Sequence, residues 1–128
     1  MATRGIRGAT TVDANAADDI KQRTLELLGI LVASNGIRPE DVASATFTVS
    51  GDLDADFPAV AVRSLPGWDE VPLLCAREIP VKGSLPRCVR VLLHWNTDRP
   101  QRDVRHVFLR GARSLRPAWA VRAEGDEP

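Results

Sequence analysis

The run Arg87-Cys88-Val89-Arg90-Val91-Leu92-Leu93-His94-Trp95 constrains this chain more than any other segment. Aliphatic residues over a strand's length make it the strongest strand signal present. It also carries a guanidinium. Burying an unpaired guanidinium is costly, so something must pair with Arg90. Two readings stay open from the local pattern. Arg90 is a structural ion-pair or edge-strand arginine, or it is a fixed cation on a rigid strand. In the second case it faces a substrate carboxylate or developing negative charge.

The rest of the chain supplies a sheet and one long helix around that strand. Residues 3–12 read as a first strand punctuated by Gly5 and Gly8, and Asp13 or Asn15 is placed to cap the helix that follows. Ile20, Thr24, Leu27, Leu28 and Leu31 recur at helical spacing, and Ser34-Asn35-Gly36 ends the helix. Pro39-Glu40-Asp41 opens a strand in which Ala43, Ala45, Phe47 and Val49 alternate with Ser44, Thr46 and Thr48. An aspartate-rich loop over 51–56 leads to a short helix over Phe57 to Arg63, with Pro58 tolerated in its first turn, followed by a Pro66-Gly67 turn. Val71 to Cys75 reads as a short strand and Lys82-Gly83-Ser84 as a loop. Pro100 to Asp103 reads as a turn or short helix, periodicity leaves Arg105 to Leu109 undecided, and Pro117 stops what precedes it. The order βαβαββ predicts an α+β fold: a mixed sheet with one long helix and one short helix on one face. The other face needs a partner, for which further subunits are the natural solution in so short a chain. We expect a single domain over 1–117 and a polar, mobile tail over 118–128.

Composition excludes more than it selects. The 128 residues carry 17 basic and 17 acidic side chains, so nothing global points to nucleic acid or an anionic membrane. Charge is uneven, with 6 Lys/Arg and 9 Asp/Glu in residues 1–64 against 11 and 8 in residues 65–128. Most of the C-terminal excess is arginine, which suits carboxylates and phosphates better than lysine does. Neither a signal peptide nor a membrane-spanning run is visible, and the two cysteines make no metal or redox pair. The expected location is the cytoplasm.

Among single residues, Arg7 lies between Ile6 and Gly8, where a missing side chain permits close approach. Alone it is more often a surface arginine. Glu78 reads as solvated or paired, and Arg63 as a solvated charge. Cys75 and Cys88 read as small core residues. His94 and His106 lack motif spacing to a cysteine or to each other, so neither metal nor thiol chemistry is expected. Trp68, Trp95 and Trp119 read as packing or interface residues. The arginines between Arg99 and Arg116 have few aromatics among them and read as a solvated face rather than an RNA surface.

Several segments together carry more. Arg4-Gly5-Ile6-Arg7-Gly8-Ala9-Thr10-Thr11, Phe57-Pro58-Ala59, Ala61-Val62-Arg63, Gly67-Trp68, Val71-Pro72, Cys75, Glu78, Cys88-Val89-Arg90, Arg105-His106-Val107 and Leu115-Arg116-Pro117 occur in order. This set resembles the signatures of the AroH-class monofunctional chorismate mutases over about residues 3–117. The resemblance implies a pseudo-α/β-barrel homotrimer with active sites at subunit interfaces. It implies the rearrangement of chorismate to prephenate without metal or organic cofactor. It implies that Arg90 and Arg7 hold the substrate's side-chain carboxylate, and that Arg90 also faces the ether oxygen. Glu78 would accept from the ring hydroxyl with Cys75 beside it. Phe57, Ala59 and Arg63 would come from the neighbouring subunit, and Leu115 and Arg116 from a closing tail.

Two positions depart from the family pattern. Phe108 stands where a tyrosine is common, so ring packing is kept but a hydroxyl donor is lost, an effect of about 1 kcal/mol on binding. Val60 stands where lysine is frequent. The alternative these departures support is a non-catalytic trimeric binding protein for small carboxylates.

Overall fold

The computed structural model describes residues 1–120. Its sheet has five strands: β1 (Ala2–Thr11), β2 (Val42–Val49), β3 (Leu73–Arg77), β4 (Cys88–Thr97) and β5 (Val107–Phe108), in the order β3-β2-β4-β1-β5. The apolar run that dominates the sequence is therefore the central strand. β4 runs antiparallel to β1 and to β2, while β5 and β3 are added in parallel at the two edges. The fold is α+β with a mixed sheet, as expected.

Helix α1 (Ala17–Asn35) covers one face. Its whole expected stripe, Ile20, Thr24, Leu27, Leu28 and Leu31, is buried. Leu27, Leu28 and Leu31 share the main core with Ile6 of β1, Ala45 and Phe47 of β2, and Val91, Leu93 and Trp95 of β4, while Ile20 packs with Val12, Leu53 and Val89. Since strand side chains alternate, Arg7, Thr46, Thr48, Arg90 and Leu92 point to the opposite face. The helix ends where Gly36 turns left-handed at φ 69° and donates to the Val32 carbonyl. Buried Asn35 then ties it to the segment before β5, with its carboxamide bonded to both the N–H and the C=O of Arg105.

Gly8 sets how close helix and sheet come. A Cβ there would stand 2.8 Å from Leu31 Cδ1 and 3.2 Å from Leu27 Cδ1 and Val91 Cγ1. Both leucines are fully buried and cannot swing away. We expect Gly8→Ala to destabilise the protein by about 1–3 kcal/mol, measured by denaturant unfolding. An unchanged midpoint would show that the helix moves off the sheet without cost.

Several expectations are corrected. Neither Asp13 nor Asn15 caps α1; the N-cap is Ala16, without a side-chain bond. The Asn15 carboxamide is used instead by the aspartate-rich loop, accepting from the N–H groups of Asp54 and Ala55. Ala43 is exposed and Val42 buried, because a bulge between Val42 and Ser44 shifts the alternation by one residue. β3 starts two residues later than expected, since the Val71 N–H closes a 3-10 turn on Trp68 and Pro72 has no N–H to give. The undecided 105–109 segment forms β5, a two-residue strand beside Gly8 and Ala9. Pro117 opens a 3-10 turn, Pro117–Trp119. Of the expected tail, 118–120 are thus described, and 121–128 lie outside the described residues. No helix among the described residues is long and apolar enough to cross a membrane.

Candidate active site

The charged face of the sheet is built around Arg90. In register, Arg90 lies opposite Thr48 of β2 and Ala9 of β1, and Arg7 lies opposite Leu92. Glu78 follows β3 directly. Its N–H extends the ladder onto the Val49 carbonyl at 2.9 Å. Its carboxylate turns inward, accepts from the Thr48 hydroxyl, and stands 3.5 Å from Arg90 Nε. The partner that a guanidinium on this strand demanded is therefore Glu78. The pairing is incomplete: charge-assisted bonds of this kind usually lie at about 2.7–2.9 Å, and Arg90 Nε is buried without a hydrogen-bond partner among the described residues.

Two concavities meet at this pair. One of about 300 Å³ is lined by Arg7, Thr46, Thr48, Glu78, Arg90 and Leu92, among others. Two guanidinium groups there face a single carboxylate, so the space favours an anion. The second, of about 220 Å³, lies between the Ser50–Asp52 loop and the Ile79–Pro86 segment, and Glu78, Cys88 and Arg90 form its floor. Burial pushes the Cys88 thiol up, with Arg90 opposing, so it is a thiol rather than a nucleophile at neutral pH.

The start of β4 is clamped. Arg87 takes a left-handed φ of 49°, unusual for a residue with a side chain. The Asp52 carboxylate accepts the Arg87 N–H at 2.9 Å and the Ser50 hydroxyl at 2.6 Å, while Ser50 Oγ accepts the Cys88 N–H at 2.8 Å. The Ser50 bond, with Arg87, holds the Asp52 carboxyl below the usual range.

The segment after β5 covers the other side of Arg7. Phe108 is fully buried among Ala9, Cys88 and Ala112, with Leu115 and Trp119 packed against them. The Arg7 guanidinium carbon lies 5.6 Å from the Phe108 ring centre and 5.9 Å from that of Trp119, and Arg116 stacks on Trp119 at 3.7 Å. These are cation–π distances. His106 stacks on the same indole at 3.8 Å and accepts the Arg7 main-chain N–H at Nδ1, 3.0 Å away. The imidazole must be neutral to accept there. Burial first, then the charges of Arg7 and Arg116, push its pKa below the usual 6.5.

A depressed histidine pKa contributes stability that is complete above 6.5 and lost as pH falls through the folded-state value. We expect the His106 imidazole to titrate below 6.5 by NMR, and to move upward in Arg116→Ala. Titration at or above 6.5 in the wild type would contradict this packing.

The remaining expected residues are placed differently. Cys75 lies opposite Phe47 and packs its side chain on the core. Ala45 N–H bonds the Pro72 carbonyl, and Glu78 N–H bonds that of Val49. Main-chain groups alternate along a strand, so those of Cys75 face the open edge of β3. Phe57, Ala59 and Arg63 sit at the 3-10 helix Pro58–Ser64, which packs against α1. Phe57 and Arg63 are exposed and Ala59 half-buried. None of the three lines either concavity, so one chain does not bring them to Arg90.

A family model for chorismate mutase type I matches residues 3–119.

The chain belongs to that family.

It is similar to two proteins named chorismate mutase AroH. That of Thermus thermophilus is 55% identical over 115 residues, 89% of this chain and 93% of the relative. That of Bacillus subtilis (strain 168) is 45% identical over 117 residues, 91% and 92% of the two chains. Among solved structures, a chorismate mutase from Clostridium thermocellum superposes with TM-score 0.84 at 49% identity, over 87% of this chain and 98% of the other. Every residue of the arrangement around Arg90 falls inside the span matched to the chorismate mutase family. Three of its members were not singled out as site residues from the sequence. In the sequence Thr48 is only the polar side of an alternating strand, His106 is part of the Arg105-His106-Val107 segment without a role of its own, and Trp119 is a packing or interface residue. The alternation that exposes Thr46 and Thr48 on the face of Arg90 was the signal available for the first.

Proposed function

We propose that this protein converts chorismate to prephenate by a concerted Claisen rearrangement, supplying phenylalanine and tyrosine synthesis. Membership of the family supports the reaction, and the observation that carries the mechanism is the pair of part-buried guanidinium groups facing one carboxylate. In the reaction an ether C–O bond breaks as a C–C bond forms, and no proton or electron leaves the substrate. No covalent intermediate, metal or organic cofactor is needed. The protein's task is to fold a flexible dianion into its reactive geometry and to meet the charge that develops on the ether oxygen.

Each side chain takes a part in that task. Arg90, fixed on the central strand, donates to the ether oxygen and to the side-chain carboxylate, and Arg7 holds the same carboxylate. Glu78 accepts from the ring hydroxyl. Cys75 contributes main chain from the open edge rather than its thiol. Leu115 and Arg116 close the site beside Phe108, whose ring packs but gives no hydroxyl. Phe57, Ala59 and Arg63 come from a neighbouring subunit of a homotrimer, with Phe57 lining the pocket and Arg63 near the ring carboxylate. Phe57, Leu74, Ile79 and Val81 are each more than 60% exposed in the single chain, which supports burial between subunits. Both cysteines are free, which fits a cytoplasmic enzyme.

The test is turnover of chorismate by purified protein treated with a chelator, with prephenate identified as the product. A requirement for an added metal or cofactor contradicts the mechanism. A folded trimer that binds diacids without turnover contradicts the reaction itself.

A further inference from the structure

Thr48 is tied to the two charged groups at the centre of the site, and family membership assigns it no task. It lies directly opposite Arg90 on the neighbouring strand, with its side chain on the same face. Its hydroxyl donates to Glu78 Oε2, the same oxygen that stands 3.5 Å from Arg90 Nε. Arg90 Nε, meanwhile, is buried and makes no hydrogen bond among the described residues.

An arginine and a glutamate this close ordinarily close into a two-point fork. A closed fork would spend two N–H donors of Arg90, and a lone pair on each oxygen of Glu78, and would turn both groups toward each other rather than toward a ligand. The proposed reaction needs both free, one for the ether oxygen and carboxylate of the ligand and the other for its ring hydroxyl. The hydroxyl of Thr48 instead holds the oxygen that faces Arg90 Nε, 3.5 Å away. We propose that Thr48 is a positioning residue that holds Glu78 short of Arg90 and so keeps the guanidinium open for the ligand. This rests on the chorismate mutase reading of the site and adds to it a reason for the incomplete ion pair.

The consequence is a cost on binding rather than on chemistry. Without the hydroxyl the fork closes in the free enzyme, and an entering ligand must open it. Valine has the shape of threonine and a high strand preference, so Thr48→Val removes little but the hydroxyl. We expect its KM to rise by about 10- to 100-fold with kcat nearly unchanged, and Thr48→Ser to keep the wild-type KM. A role in stability alone would lower the melting temperature without that split. The ligand-free crystal structure of Thr48→Val reads the same proposal without any turnover, and should show Glu78 closed onto Arg90 in a fork. Should valine fail to fold, Thr48→Ala removes the hydroxyl by another route. A wild-type KM in the hydroxyl-free variant, a KM raised equally by serine, or a Glu78 carboxylate unmoved in the structure would each overturn the assignment. If the wild-type protein converts chorismate, the first two results leave the reaction standing and remove only Thr48. If it does not, the structure still decides whether the hydroxyl holds the carboxylate.

Discussion

Replacing Arg90 by lysine is expected to lower kcat by about 10²–10³-fold while fold and assembly survive. The formal charge is kept, so electrostatic attraction alone would predict a mild effect. What is lost is geometry. The guanidinium is a planar set of donors held by a strand with neighbours on both sides, whereas an ammonium on a flexible stem is a point charge that does not reproduce two aligned contacts. Lysine still leaves Glu78 a cation, so no carboxylate is orphaned and the melting temperature should move little. Steady-state kinetics beside thermal denaturation separate the two effects. A well-folded Arg90→Lys protein with wild-type kcat would remove Arg90 from the mechanism.

Activity should also return when two dead variants are mixed. Arg90→Ala removes one side of the proposed site, and Arg63→Ala removes a residue that the fold keeps out of the Arg90 concavities of its own chain. If each site takes Arg90 from one subunit and Arg63 from the next, random reassembly of equal amounts restores both residues in about one site in four. Co-refolding followed by a turnover assay measures this directly. No gain over the separate variants would mean that the sites lie within single chains.

The sheet and its helix were legible because their signals are local and redundant. Five positions at helical spacing fix the buried stripe of α1, and the apolar run around Arg90 has no good alternative to a central strand. Errors fell where tertiary competition decides. Asn15 has the chemistry of a helix cap but is taken by the main chain of the 54–55 loop. Ala43 faces outward because a bulge, invisible to a strict period of two, offsets the start of β2. β3 starts past Pro72, which has no N–H to give a ladder. The site was readable in part. Arg90 announced itself by being a charge in an apolar strand, whereas the residues around Glu78 show only an acid, solvated or paired, and the ladder bond to Val49 of β2 is what brings its carboxylate to Arg90. The role of His106 depends on a bond to the Arg7 main chain, 99 positions away in sequence, and no spacing rule reaches that far.

On this mechanism a guanidinium fixed on β4 meets charge developing on the substrate in a site that two subunits complete. The measurement that addresses it most directly is the crystal structure of the protein with an unreactive bicyclic diacid that mimics the cyclic transition state. The Arg90 guanidinium should lie within hydrogen-bond distance of the bridging ether oxygen, with Glu78 on the hydroxyl, and Phe57 and Arg63 of an adjoining protomer against the same ligand. A diacid seated away from Arg90, or enclosed by one chain alone, would contradict it.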